Sequence, residues 1–410
     1  MFRLDAILLR LPFMNILSDR DVMLLYFLRA VRDLINKFTL FFLPVYLYVL
    51  GTKSVLYNEW HFTNLQAGML AIAAYFLVLR LVILGTAIAG GRITHQIGFT
   101  RSLLVSYIIR CGGFLALYFS MFNPWLILLA GAFEGLQSNF FWNTFLTVLT
   151  KYTPKKNMGA NLGLLQFVLQ LIAVLSPLVS GLIAVEFGFE VLFLTGVLLT
   201  FLSIGIILLL KGRVAYDQVS WSEFWRWMQE VTFRKLGVSF IGRYLNDAIL
   251  TVWPLYIFLL LGSVEKVGFL YTFSLFVAMV MTFFIGMYID RSKSKRPFII
   301  SGSFLSLLWI ARTQVFSIWS IALVDMWERF FANFHWLYYD MLALKRGKGA
   351  QAFSYFVYRE VVISAGAIIF WLFFAVYFVI FTHWAGLFIL ASGGVLLSLL
   401  VSDKYDRDVK

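Results

Sequence analysis

Two glutamates carry the first hint of chemistry. Glu134 stands in a run with Asn139, Phe140, Trp142 and Lys151. The same residue types return 194 positions later as Glu328, Asn333, Phe334, Trp336 and Lys345. Both runs are strongly apolar, and a carboxylate in a dry cavity can take up and release a proton near neutral pH. Glu134 and Glu328, followed by Asp325 and Asp340, are therefore the predicted proton-coupling groups. The competing reading is neutralisation by Arg32, Arg80 or Arg329, which would hold the acids ionised.

Other charges also interrupt apolar stretches, where each costs at least about 2.5 kcal/mol on insertion scales. Arg29, Asp33 and Lys37 follow an i, i+4, i+8 ladder with Asn36 beside it, and Arg243, Asn246 and Asp247 repeat the pattern. Aligning Pro44 with Pro254 and Tyr46 with Tyr256 sets Asn36 over Asn246, Asp33 over Arg243 and Lys37 over Asp247, so two matched positions carry opposite signs. Such charges either pair across two bundles and exchange partners as a cavity opens alternately, or form permanent pairs within one bundle. Arg80, Arg329, Arg359 and Glu360 add to the set. With Gln137, Asn139, Trp142, Gln166, Gln170, Asn333, His335, Trp336, Tyr338 and Tyr339 they are the predicted lining for an amphipathic organic solute. The mixed charge favours a zwitterionic, peptide-like or weakly charged cargo over a simple anion.

What must position these groups is a bilayer-spanning scaffold. The chain has 61% hydrophobic, 19% aromatic and only 13% charged residues, beyond what a water-soluble domain carries. Apolar runs near 20 residues predict twelve all-α spans, at about 22–50, 64–90, 100–122, 124–150, 158–185, 188–210, 235–262, 267–289, 297–316, 318–344, 350–380 and 383–402. If the N-terminus is cytoplasmic, most of the 34 lysines and arginines fall in cytoplasmic segments, while the outer loops hold Lys53 and Lys266. That asymmetry predicts both termini inside. It also assigns the net charge of +13 to topology and anionic-lipid contact, not to nucleic acid. The N-terminal twenty residues carry Arg3, Asp5, Arg10, Asp19 and Arg20 and show no cleavable signal pattern. Residues 1–210 and 236–410 are the expected halves. Between them, residues 211–235 form a linker in which Trp221, Phe224, Trp225 and Met228 oppose Glu223, Arg226 and Glu230, as an interfacial helix requires. A single cysteine, Cys111, excludes an intrachain disulfide. No metal site or cofactor is expected.

Two loops match at an offset of 195. Gly91-Arg92-Ile93-Thr94-His95-Gln96-Ile97-Gly98-Phe99-Thr100-Arg101 follows the second span, and Gly286-Met287-Tyr288-Ile289-Asp290-Arg291-Ser292-Lys293-Ser294-Lys295-Arg296 follows the eighth. Both resemble the cytoplasmic loop motif of the major facilitator superfamily, a glycine turn with an acid that caps the next helix or meets a neighbouring arginine. The functional positions are Gly91, His95, Gly98, Arg101, Gly286, Asp290 and Arg291. The first copy places His95 where the family has the acid, and the second places Lys293 where it has the later glycine. The resemblance implies two pseudo-symmetric six-helix bundles, a cavity lined by helices 1, 4, 7 and 10, and lipid-facing helices 3, 6, 9 and 12. It further implies gating by helices 2 and 11 and secondary active transport. Ser176-Pro177-Leu178-Val179-Ser180-Gly181 resembles the helix-5 motif of proton-coupled exporters. The simpler reading is a proline kink with small residues that permit close helix approach.

A nucleotide-binding Gly-x-x-x-x-Gly-Lys-Ser/Thr loop does not occur, which disfavours an ATP-driven pump. A polytopic enzyme would have to rely on Glu134, His335 and Asp340, without any recognised catalytic cluster. A non-transporting receptor or scaffold is the remaining alternative. The reading is of a monomeric multi-pass protein of the plasma (inner) membrane. It would move a small-molecule substrate by alternating access, coupled to protons and leaning to export.

Overall fold

A computed structural model describes residues 20–53, 61–152, 165, 167–171, 174–210, 216–291, 296–347 and 351–401, without the side chains of 20–22, 152, 277, 278 and 280–291. Every regular element among them is helical. In chain order these are α1 (Arg20–Thr39), α2 (Leu43–Thr52), α3 (Asn64–Ile97), α4 (Phe99–Phe119), α5 (Leu126–Tyr152), α6 (Ser176–Glu186) and α7 (Phe189–Leu208). There follow α8 (Trp221–Gln229), α9 (Val231–Leu261), α10 (Val264–Arg291), α11 (Arg296–Ala311), a 3₁₀ turn (Arg312–Gln314), α12 (Ile318–Arg346), α13 (Ala352–Ile380) and α14 (Ala385–Ser398). Among the described residues, seven helical stretches are long and apolar enough to cross a membrane.

Local sequence explains the boundaries. Thr63 and Gln66 form a capping box at the start of α3, and Ser317 and Ser320 form one at the start of α12, satisfying amide groups that the first turn leaves free. The predicted span 22–50 is broken at residues 40–42, because Pro44 has no N–H to continue the ladder and instead opens α2. Its sequence match Pro254 stays inside the continuous α9. Gly98, at φ 80°, makes the turn between α3 and α4 that a side chain would strain.

Packing sorts the helices into two groups. In the first, α4 packs on α5 and α7, α3 on α5, and α1 on α7; in the second, α9 packs on α13 and α14, α11 on α12 and α14, and α10 on α12. The groups meet chiefly along two seams, α3 against α13 and α6 against α10. In the second seam Gly268 brings backbones together: a Cβ there would stand 2.5 Å from the Pro177 carbonyl oxygen. Outward faces are apolar, as on α7, where Leu198, Phe201 and Leu202 are exposed, and on α11, where Ile299, Ile300 and Leu307 are.

The linker helix α8 packs on α9 and α13. Phe224 is buried and Trp227 packs on Phe233 and Tyr358, whereas Trp225 is 61% exposed. Glu223, expected on the polar face, accepts a 2.7 Å hydrogen bond from the Tyr358 hydroxyl. Asp217 accepts from the backbone amides of Phe353 and Ser354 and so caps α13 from the linker. Arg92 Nε donates to the Val219 carbonyl at 3.1 Å. The linker thereby ties α3 and α13 together at one end of the molecule.

Candidate functional site

At the linker side of the interior a cavity of about 380 Å³ separates the two groups. Arg29 (α1), Arg80 (α3) and Ser138, Trp142, Phe145, Leu146 and Leu149 (α5) line it from the first group, with Leu165 and Leu169. Phe240, Arg243, Tyr244 and Asp247 (α9), Tyr339, Asp340, Ala343 and Leu344 (α12), and Arg359, Glu360 and Ile363 (α13) line it from the second. Beyond the cavity, at the end away from the linker, the groups close on each other. Phe76 stacks on Trp371 at 4.5 Å, Gln66 Nε2 donates to the Val379 carbonyl, and the Leu178 amide donates to Thr272. The Trp371 indole in turn donates to the Tyr244 hydroxyl at 2.6 Å, so the closing contact abuts the cavity lining.

The charges lining the cavity are paired, chiefly within their own group. Arg29 and Lys37 flank Asp33 on α1 at 3.3 and 3.1 Å, and Arg29 also covers the Trp142 ring at 4.8 Å. Arg243 meets Asp247 at 2.7 Å and Asp340 at 3.4 Å while stacking over Trp336. Of the two sequence readings, this conformation shows local pairs for both ladders, because the i, i+4 partner is always within reach. An ion pair that does cross between the groups is Arg80 to Glu360, 3.6 Å apart, and Glu360 is shared with Arg359 at 3.5 Å. The Asp247 side chain stays 46% exposed although its oxygens accept from Arg243 and Asn246, so the carboxylate is still accessible to a ligand. Arg80 also lies over the Tyr244 ring at 4.3 Å.

Several residues expected at the cavity lie elsewhere. Glu134 accepts a 2.7 Å bond from Gln137, whose oxygen accepts one from Arg32, so these three sit inside the first group. Asn139 straps α5 to α3 through Ile83 O and Thr86. In the second group Asp325 is held by Arg312 at 3.0 Å and by the Trp253 indole. Glu328 lies between Arg312 and Arg329 at 3.9 and 3.8 Å. Asn36 accepts from Arg110, and Asn246 accepts from the Trp309 indole at 2.8 Å, so the two matched asparagines do matching work.

Other placements depart further from expectation. His335 is a packing residue rather than a cavity residue. It stacks on Phe298 and its ring nitrogens meet Phe298 O and Ser398, because it stands about 140° around α12 from Asp340. Asn333 accepts from Gln170 across the groups at 3.2 Å. Gln166, the surroundings of Gly286 and the side chains of Asp290 and Arg291 lie outside the described set; in the other loop copy, His95 and Arg101 are exposed and Gly91 packs under Val219. Tyr244 and Phe240 were missed by the sequence reading, although each lies within one turn of Arg243.

A family model described as Major Facilitator Superfamily matches residues 25–227. The fold agrees with it: the human organic anion transporter MFSD10 (TETRAN) superposes with a TM-score of 0.64 at 12% identity, over 95% of this chain and 100% of that one. The chain belongs to the major facilitator superfamily. A variant of the E. coli fucose:proton symporter FucP gives a TM-score of 0.63 at 13% identity, over 92% of this superfamily member and 96% of that chain. No protein of curated function matches it. As a superfamily member the chain is a multi-pass membrane transporter, and family and neighbours point away from an enzyme.

Proposed function

We propose that this transporter moves a small amphipathic organic solute through the cavity between its two helix groups by alternating access, with proton coupling. The observation that carries the reading is the cavity: guanidinium, carboxylate and aromatic rings from both groups converge on about 380 Å³ at their junction, while close packing seals the opposite end. A pocket between two bodies that are pinned at one end is what rocking-type access needs. In the twelve-span topology with both termini cytoplasmic, in the plasma membrane, this cavity faces the cytoplasm. The proposed division at residues 210 and 236 brackets the linker, whose last residues, from Val231, already form the start of α9.

The mixed lining fits a zwitterionic cargo. Arg29 and Arg80 offer an anion site on one wall, Asp247 and Asp340 a cation site on the other, and Trp142 and Tyr339 flat apolar contact between them. That MFSD10 is an organic anion transporter and FucP a sugar:proton symporter supports an organic cargo and proton linkage. Glu134 and Glu328 are the proposed proton carriers, each held next to an arginine network that a moving bundle could rearrange. Export is the proposed direction, on the resemblance of Ser176–Gly181 to the exporter motif. Ligand-dependent melting of the purified protein across a metabolite and drug panel at pH 6 and pH 8 tests the reading, followed by flux in proteoliposomes. A ligand at about 100 times its Kd adds roughly 2.7 kcal/mol. Flux that is driven by a pH gradient and loses that drive in Glu134→Gln or Glu328→Gln supports it; binding without flux refutes it.

A further inference from the structure

The interior of the first helix group holds more positive charge than its acids answer. Arg32 on α1 and Arg110 on α4 are each 1% exposed, a rare and costly placement within a membrane-spanning bundle. They belong to one cluster. Asn36, one turn beyond Arg32, accepts from Arg110, and Arg32 lies over the ring of Tyr107, one turn before Arg110, at 5.8 Å. Each guanidinium spends one nitrogen on a neutral amide: Arg32 on Gln137 and Arg110 on Asn36. The Nε and Nη1 atoms of both, and the Tyr107 hydroxyl, have no hydrogen-bond partner among the described residues. The acid tied into the cluster is Glu134, and its hydrogen-bond link to Arg32 runs through Gln137.

The second group shows the alternative solution. Arg312, just as buried and likewise with Nε and Nη1 lacking hydrogen-bond partners among the described residues, differs in charge pairing: it has Asp325 at 3.0 Å and Glu328 at 3.9 Å, and Arg329 shares Glu328, so two cations meet two carboxylates. In the cluster of the first group, Arg32 and Arg110 have Glu134 as their one carboxylate. We propose that a small monovalent inorganic anion of the chloride class binds inside the first group, between Arg32, Arg110 and Tyr107. The count of one surplus charge selects a monovalent ion, since a divalent one would leave the opposite imbalance. The Phe141 and Phe114 rings that flank the guanidiniums favour an ion that sheds its water cheaply. Neither arginine lines the central cavity, so the site is separate from the proposed cargo path and a cargo carboxylate does not reach it.

The test uses the purified full-length protein without cargo, melted in sodium gluconate and titrated with chloride or bromide at constant ionic strength. A saturable rise in Tm with chloride and bromide, absent with sulfate, is expected. Tyr107→Phe, which keeps the ring and removes a single donor, and Arg110→Gln are expected to raise the half-saturating concentration roughly tenfold or more. In crystals grown in bromide, anomalous density is expected between the two guanidiniums. A Tm that ignores anion identity, or an anion effect unchanged in both variants, overturns the proposal. Because the readout needs no flux, it stands or falls independently of the transport reading.

Discussion

Glu360→Gln is the most informative single change, because Glu360 is the carboxylate through which α13 meets α3. A unit-charge pair at the 3.6 Å observed between Arg80 and Glu360 attracts by about 4 to 5 kcal/mol at an effective dielectric near 20. With side chains 18% and 13% exposed, desolvation takes back much of that gain and leaves about 2 kcal/mol for the contact. Arg359 is on the same helix as Glu360 and keeps its neighbour in any arrangement of the groups, so it does not bias one conformation over another. Neutralising Glu360 should therefore shift the conformational equilibrium away from the present arrangement by roughly thirtyfold. Spin labels at Arg101→Cys and Ile299→Cys in a Cys111→Ser background would report this as a changed distance distribution by pulsed electron resonance. Arg80→Gln should act in the same direction, and the double variant should add little to either, as expected when both remove one contact. An unchanged distribution in Glu360→Gln, or additive effects in the double variant, would refute a coupling role for this pair.

Gly268→Ala drives a methyl against the Pro177 carbonyl, so the α6–α10 seam should lose about 1 to 3 kcal/mol and the same labels should report a shifted population. His335→Ala should lower Tm by removing a buried ring that bonds Ser398 at 2.7 Å, at a cost of about 2 kcal/mol, while ligand affinity stays unchanged because His335 does not line the cavity. Burial holds the Asp217 carboxyl above its usual range, against the opposing pull of the two α13 amides. The sign follows from linkage: a carboxyl whose pKa is raised on folding contributes stability that is complete below its unfolded value, near 3.9, and is lost as pH rises through the folded one. Asp217→Asn should keep an acceptor for the α13 amides and flatten the fall of Tm as pH rises above about 4 relative to the parent; identical pH profiles would remove Asp217 as the source.

Hydropathy and spacing determined a good deal unaided. Apolar run lengths placed helices close to their observed bounds, as for 64–90 against Asn64–Ile97 and 350–380 against Ala352–Ile380, since in a bilayer each helix satisfies its own backbone and its signal is local. Residue cost did the same for the site: Arg29, Arg80, Trp142, Arg243, Asp247, Tyr339, Asp340, Arg359 and Glu360 drew notice as charges or aromatics in apolar runs, and all line the cavity. Partner choice was not legible. His335 and Asp340 look equally suited to a cavity in sequence, yet the rotation of α12 turns one into packing and the other toward the cavity. The matched acids Glu134 and Glu328 share a motif but face Gln137 in one group and Arg312 with Arg329 in the other. Whether a buried charge is paired depends on which neighbouring helix supplies the partner, and that is fixed by helix rotation and tilt across the whole bundle rather than by any local pattern.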